Sequence, residues 1–245
     1  MNENGILLNY MLYFLGILIT IGAQIYIKVS YNKYKKESTK SNMTGFEVAR
    51  KILDENGLQD IHVVETPGNL TDHYDPQRKV VRLSKEVFNG QTIASNSVAA
   101  HEVGHAIQDK EGYTYMKIRS TLVPFVNFCS KLGDIVLVIG FIASAFDIVY
   151  VGIILLATTL IFQLVTLPVE FNASKRAGIQ LKKEGILNKE EQEGSKTMLT
   201  AAALTYVASL VTTLLEILRL FLAAKDRNWL VKKWRQMAWV IIYPK

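Results

Sequence analysis

Apolar residues follow two different patterns along this chain. From Ile6 to Val29 they run almost unbroken, and at about 1.5 Å per residue such a helix is long enough to cross a bilayer. A second apolar stretch, Leu122 to Leu167, has room for two crossings of roughly 20 residues each, with a tight turn near Phe146 and Asp147. A third, Met198 to Ala224, suffices for one more, and its Glu216 and Arg219 stand three apart, where helical side chains pair.

The segment between the first two runs alternates instead of saturating. Phe46, Val48, Ala49, Ile52 and Leu53 predict a helix over Thr44 to Asn56, closed by Gly57. Ile61 to Val64 and Lys79 to Leu83 read as short strands, separated by the turn-rich Pro67-Gly68-Asn69 and Asp72-His73-Tyr74-Asp75-Pro76. Val98, Ala99, Val103, Ala106 and Ile107 then mark the apolar face of a second helix. Ser95, Asn96 or Ser97 can cap its start, and Asp109, Lys110 and Gly112 end it.

That second helix carries the chemistry. His101-Glu102-Val103-Gly104-His105 places two imidazoles four residues apart, so both can point from one helix face at one metal ion. Glu102, next to the first ligand, can act as general base on a water the metal activates. Gly104 costs about 1 kcal/mol of helix stability against alanine; a residue that small lets another backbone or a substrate approach closely.

A catalytic zinc takes three protein ligands and keeps one position open, so one ligand is still to be found. Glu170, at the far end of the second apolar stretch, is the candidate. It reaches the histidines only if the chain between them enters the membrane and returns, which two crossings achieve. Glu184, Glu190, Glu191 and Glu193 lie in a lysine-rich run that reads as a solvated face. For an oxyanion donor or substrate contact, His73, Tyr74 and Tyr113 are the candidates.

Composition sharpens this picture without changing it. Hydrophobic residues make up 49% of the 245 and charged residues 20%, which suits a membrane protein with a sizeable polar part. Lys28, Lys33, Lys35, Lys36 and Lys40 follow the first span, and Lys175, Arg176, Lys182 and Lys183 follow Glu170. By the rule that cationic flanks stay inside, both segments are cytoplasmic and the amino terminus is outside. If Met198 to Ala224 crosses, the basic residues after it lie outside, against that rule. Leu230, Trp234, Met237 and Ile241 recur at helical spacing among lysines and arginines, the pattern of an interfacial helix on anionic lipid. The net charge of +6 is assigned to lipid rather than nucleic acid, for which no binding motif is present. A single cysteine, Cys129, excludes an internal disulfide.

Four runs carry a family resemblance: Leu70 to Pro76, Val81 to Ser84, Ala99 to Gln108, and Leu167 to Ser174. They closely resemble the bacterial YugP-like membrane zinc metallopeptidases, over residues 1 to about 225. The layout is also similar, more distantly, to the HtpX-like and CAAX prenyl-protease zincins. There an Asp four residues after the glutamate ligand orients a histidine; here that position is Ser174, in the shell behind the ligands. The resemblance implies a multi-pass protein of the bacterial plasma membrane, with one zinc ion per chain and peptidase chemistry.

The expected fold is an α+β, mostly α membrane protein with a zincin-like (gluzincin) catalytic region. Its parts are an anchor over 1–30, the catalytic region over 41–120, a membrane hairpin over 121–169 and the third-ligand helix and loop over 170–197. A fourth membrane helix over 198–224 and a basic tail over 225–245 follow. The expected activity is hydrolysis of a peptide or membrane-protein substrate by zinc held on His101, His105 and Glu170, with Glu102 as base, on the cytoplasmic side. The rival is a membrane zinc-binding protein that hydrolyses nothing: a sensor, transporter or structural site. Oligomeric state has no signal in the sequence.

Overall fold

The computed structural model describes the backbone of residues 3–242, and the side chains of these except Asn4 and 226–242. The chain is mostly helical with one small sheet. Helix α1 (Glu3–Tyr34) leads to α2 (Gly45–Glu55), then strands β1 (His62–Thr66), β2 (His73–Asp75) and β3 (Val80–Ser84). Helices α3 (Lys85–Asn89), α4 (Ile93–Lys110), α5 (Thr114–Ile142), α6 (Phe146–Lys183) and α7 (Lys189–Ile242) complete it. Among the described residues, four segments are long and apolar enough to cross a membrane: Gly5–Tyr34, Thr114–Ile142, Phe146–Lys183 and Lys189–Lys225. The amphipathic tail expected over 225–245 lies, beyond Lys225, outside the described side chains.

The backbone groups two compact units. The first comprises residues 1–21, 121–164 and 208–245. Here α5 is followed directly by α6, the chain reversing at 143–145 through Ser144 at φ 53°. Small residues let the two arms close: a Cβ at Gly140 would stand 2.8 Å from Val149 Cγ2, and one at Gly152 2.7 Å from Leu137 Cγ. In lipid no hydrophobic force drives helices together, so such close packing has to do it. Glu216 and Arg219 pair on α7, as their spacing predicts.

The second unit comprises 22–120 and 165–207. Helix α2 forms where its apolar spacing predicts, and Thr44 and Glu47 close a capping box at its start. Gly57 follows at φ 64°, where a Cβ is strained. The sheet runs in the order β1-β3-β2, with β1 parallel and β2 antiparallel to β3. Val81 and Leu83 of β3 are fully buried, packing with Val48, Ile52, Leu53 and Val103 in the core.

Two local readings differ from the structure. The Asp72–Pro76 segment, turn-like in composition, contains strand β2, because pairing of His73, Tyr74 and Asp75 with β3 overrides its weak strand propensity. Helix α4 starts at Ile93, capped by the Thr92 side chain accepting from Ser95 N–H, rather than at Ser95–Ser97. Those three polar residues are buried inside the helix, and two of them find partners across the unit: Asn96 donates to Thr39 at 3.2 Å and Ser97 to Ser195 at 2.7 Å. Because serine and asparagine cap helices from sequence alone, only the tertiary partners reveal this other use.

Candidate metal centre

Helix α4 presents His101 and His105 one turn apart, with rings 4.9 Å between centroids. Glu170 of α6 comes in beside them. Its Oε2 lies 3.3 Å from His101 Nε2 and 3.6 Å from His105 Nε2. At metal–ligand lengths near 2.1 Å, two ligands of one tetrahedral zinc stand about 3.4 Å apart, so this spacing suits a shared ion. Among the described residues, these three form a His, Cys, Asp or Glu cluster that could hold a metal.

Gly104 makes the approach of Glu170 possible. A Cβ there would stand 2.7 Å from the Ala173 carbonyl oxygen of α6 and 3.3 Å from Ala173 C and Cα. That obstacle is backbone and cannot swing aside. Gly104→Ala adds roughly 1 kcal/mol of helix propensity but forces α4 and α6 apart, and such overpacking costs about 1–3 kcal/mol. The expected result is a lower melting temperature together with at least tenfold weaker zinc binding by chelator competition; unchanged affinity would mean that α6 does not depend on this contact.

The residues behind the two rings set which imidazole nitrogens face Glu170. Gln108, fully buried, donates from Nε2 to the Val169 carbonyl at 2.8 Å and to Asn172 Oδ1 at 2.9 Å. A carbonyl only accepts, so that end of the amide is nitrogen and the other is oxygen. Gln108 Oε1 faces His105 Nδ1 at 3.0 Å, so Nδ1 carries the hydrogen and Nε2 offers its lone pair toward Glu170. Ser174 Oγ stands 3.3 Å from His101 Nδ1, leaving His101 Nε2 turned the same way. Glu170 Oε2 is buried and has no hydrogen-bond partner. A carboxylate oxygen facing imidazole lone pairs is satisfied by a cation, and the N, N, O donor set is one that zinc accepts.

The other carboxylate oxygen is held separately. Arg119 Nη1, at the start of α5, lies 3.2 Å from Glu170 Oε1. The two oxygens thus have different partners, one toward the histidines and one toward a fixed positive charge. Asn172 also accepts from Arg176 Nε at 2.7 Å, and Arg176 forks onto Glu111, tying the end of α4 to α6.

Glu102 is buried in the same unit, and its Oε2 accepts the Tyr74 backbone N–H of β2 at 3.0 Å. Burial pushes its carboxyl up to about 7, opposed by His101 and reinforced by the negative charges of Glu170 and Asp72. In the metal-free protein the fold therefore favours the protonated acid. That contribution is complete below the ordinary value near 4.5 and is lost as pH rises through about 7. Glu102→Gln, neutral at every pH, is expected to exceed wild type in metal-free stability above pH 7 by on the order of 3 kcal/mol. The difference should vanish near pH 4.5, and unfolding curves at both ends of that range measure it; parallel curves would dismiss the burial argument.

Not all predicted residues meet at the cluster. The Tyr74 hydroxyl donates to Asp109 Oδ2 at 2.8 Å, so what Tyr74 brings to Glu102 is its backbone. His73 is exposed, its Nδ1 donating to the Thr71 carbonyl at 2.8 Å. Tyr113 is directed to the Pro168 carbonyl at 3.5 Å. Gln108 and Arg119 have no assigned part in the sequence reading. The spacing of Gln108, three after His105, was the one available signal; nothing local marks Arg119, a single cation ahead of an apolar run.

The family model described as "Putative neutral zinc metallopeptidase" matches residues 9–225. Over 213 residues the chain is 45% identical to the "Putative membrane protease YugP" of Bacillus subtilis (strain 168), covering 86% of this chain and 95% of that one. No solved structure gives a significant match.

Proposed function

The chain belongs to the family of putative neutral zinc metallopeptidases, and from that premise we propose that it is a membrane-bound endopeptidase with one zinc on His101, His105 and Glu170. The observation that carries the reading is the unpartnered Glu170 Oε2 facing two imidazole Nε2 atoms, beside a buried carboxylic acid. On this reading the chain is a gluzincin, with the His-Glu-x-x-His helix and a distant glutamate as its ligands.

When bound, zinc supplies Lewis-acid chemistry, polarising a carbonyl oxygen and acidifying water. The chain's own groups do the rest. Glu102, held by the Tyr74 N–H, takes the proton from the attacking water and returns it to the leaving amine. Its raised proton affinity suits both tasks, since a base working near neutral pH is most effective with a matching pKa. Gln108 and Ser174 hold the two rings in the ligating orientation, and Arg119 holds Glu170 by the oxygen that does not face them. Residues following the first span and following Glu170 are cationic, which supports a cytoplasmic site.

Removal of zinc is the direct test. Dialysis against a chelator is expected to abolish cleavage of an unstructured peptide or a membrane-anchored substrate, and stoichiometric zinc to restore it. Cleavage that survives complete metal removal would end the metallopeptidase reading. Glu102 separates it from non-hydrolytic zinc binding, because coordination alone makes no use of a buried acid beside the ligands.

A further inference from the structure

A cavity of about 280 Å³ opens directly onto the cluster within the second unit. His101, Glu102, Glu170, Ser174 and Asp72 form its polar side, joined by the Tyr206 hydroxyl of α7, which is hydrogen-bonded to Glu170. The opposite walls are largely apolar: Ile27 of α1, Val98 of α4, and Leu199, Ala202 and Ala203 of α7. Two neighbouring alanines on α7 leave the width open, where any larger side chain would project into it.

The walls identify what enters. Helices α1 and α7 are both long and apolar enough to cross a membrane. Each contributes the end of its apolar run: Ile27 lies at the close of the Ile6 to Val29 run, and Leu199 to Tyr206 at the opening of the Met198 to Ala224 run. Arg119 and Glu170 fall at the same kind of boundary, the first just before its apolar stretch and the second just after. Helices α1, α5 and α6 thus place their site residues where apolar sequence meets cationic sequence, and α7 places its own where apolar sequence meets a charged run of mixed sign, which is the level of a bilayer surface.

From this placement we infer that the cavity receives an apolar side chain of a polypeptide leaving the bilayer, and that the chain is cut within a few residues of the membrane surface. The inference rests on the peptidase reading and deepens it by naming the substrate. A soluble chain has to be brought to that level from water, whereas an anchored one is already held there, so much of its entropic cost of positioning is paid in advance. Ala202 and Ala203 set the pocket's size and are its specificity residues.

The test uses full-length, zinc-loaded protein in lipid vesicles and a reporter with a single membrane helix followed by a short randomised segment. Cut sites read by mass spectrometry are expected to show leucine or phenylalanine beside the broken bond. Ala202→Phe should move that preference to alanine or glycine by roughly tenfold or more, the size of discrimination that pocket volume provides. Leu199→Ala should move it toward larger rings. Zinc affinity, measured on each variant, is expected to stay at the wild-type value, which separates a filled pocket from a damaged fold. Polar spacers of increasing length between helix and segment should lower the rate at least tenfold, and the same segment without its anchor should be cut no faster than with the longest spacer.

If neither pocket variant shifts the preference while both bind zinc, the pocket assignment is wrong. A rate independent of spacer and anchor overturns the membrane-surface assignment. Zinc-loaded wild type that cuts no segment at all, anchored or free, defeats instead the peptidase reading on which both stand.

Discussion

Glu102→Gln is expected to keep its zinc and to lose about 10²–10⁴ in cleavage rate, the contribution of a positioned general base. The substitution changes almost nothing but the acid–base chemistry. Glutamine has the shape of glutamate, and its carbonyl oxygen can still accept the Tyr74 N–H that the carboxylate accepts at 3.0 Å. Neither ligand ring depends on it, since His105 is oriented by Gln108 and His101 faces Ser174. Zinc content by elemental analysis and turnover on one anchored substrate together give the answer. A variant that loads zinc and still cuts within a few-fold of wild type would remove Glu102 from the chemistry and return the non-hydrolytic zinc protein as the better account.

Glu170→Ala is expected to have the other large effect, on the metal itself. Removing an outer partner of a ligand typically weakens binding by about 10–100-fold, and removing the ligand should exceed that, leaving the histidines without their third donor. Zinc is expected to fall from about one per chain to a small fraction under conditions that saturate wild type. The fold should suffer less than a buried ion pair implies. Glu170 is 2% exposed, but its partner Arg119 has a side chain 31% exposed and can turn to water once the carboxylate is gone. Glu170→Ala that binds zinc as wild type does would remove α6 from the metal centre. Loss of zinc with a near-normal melting curve supports ligation rather than a structural role.

Both experiments probe a centre assembled from segments 65 residues apart, and only part of it was legible beforehand. Periodicity identified α2, the long apolar helices and the α5–α6 hairpin, because each rests on local apolar spacing that any solvent boundary selects. The His101 to His105 spacing is equally local: four residues on a helix place two rings together whatever surrounds them. Glu170 could be nominated by counting ligands and membrane crossings, an argument of connectivity that involves no side-chain packing.

What remained hidden is long-range. β2 has the composition of a turn and is a strand because β3 offers it a hydrogen-bonding edge. Asn96 and Ser97 have the chemistry of caps and serve instead as buried links to Thr39 and Ser195. That Gly104 faces the backbone of Ala173, that Gln108 sets the tautomer of His105, and that Arg119 divides the two oxygens of Glu170 depend on how α5 and α6 dock against α4. By itself the sequence determined which residues could ligate a metal and which stretches could lie in lipid, since both follow from spacing along one helix. Only the tertiary structure decided which atoms of His101, His105 and Glu170 face one another and which carbonyls and charges hold them there, because that depends on contacts between residues that the chain keeps far apart.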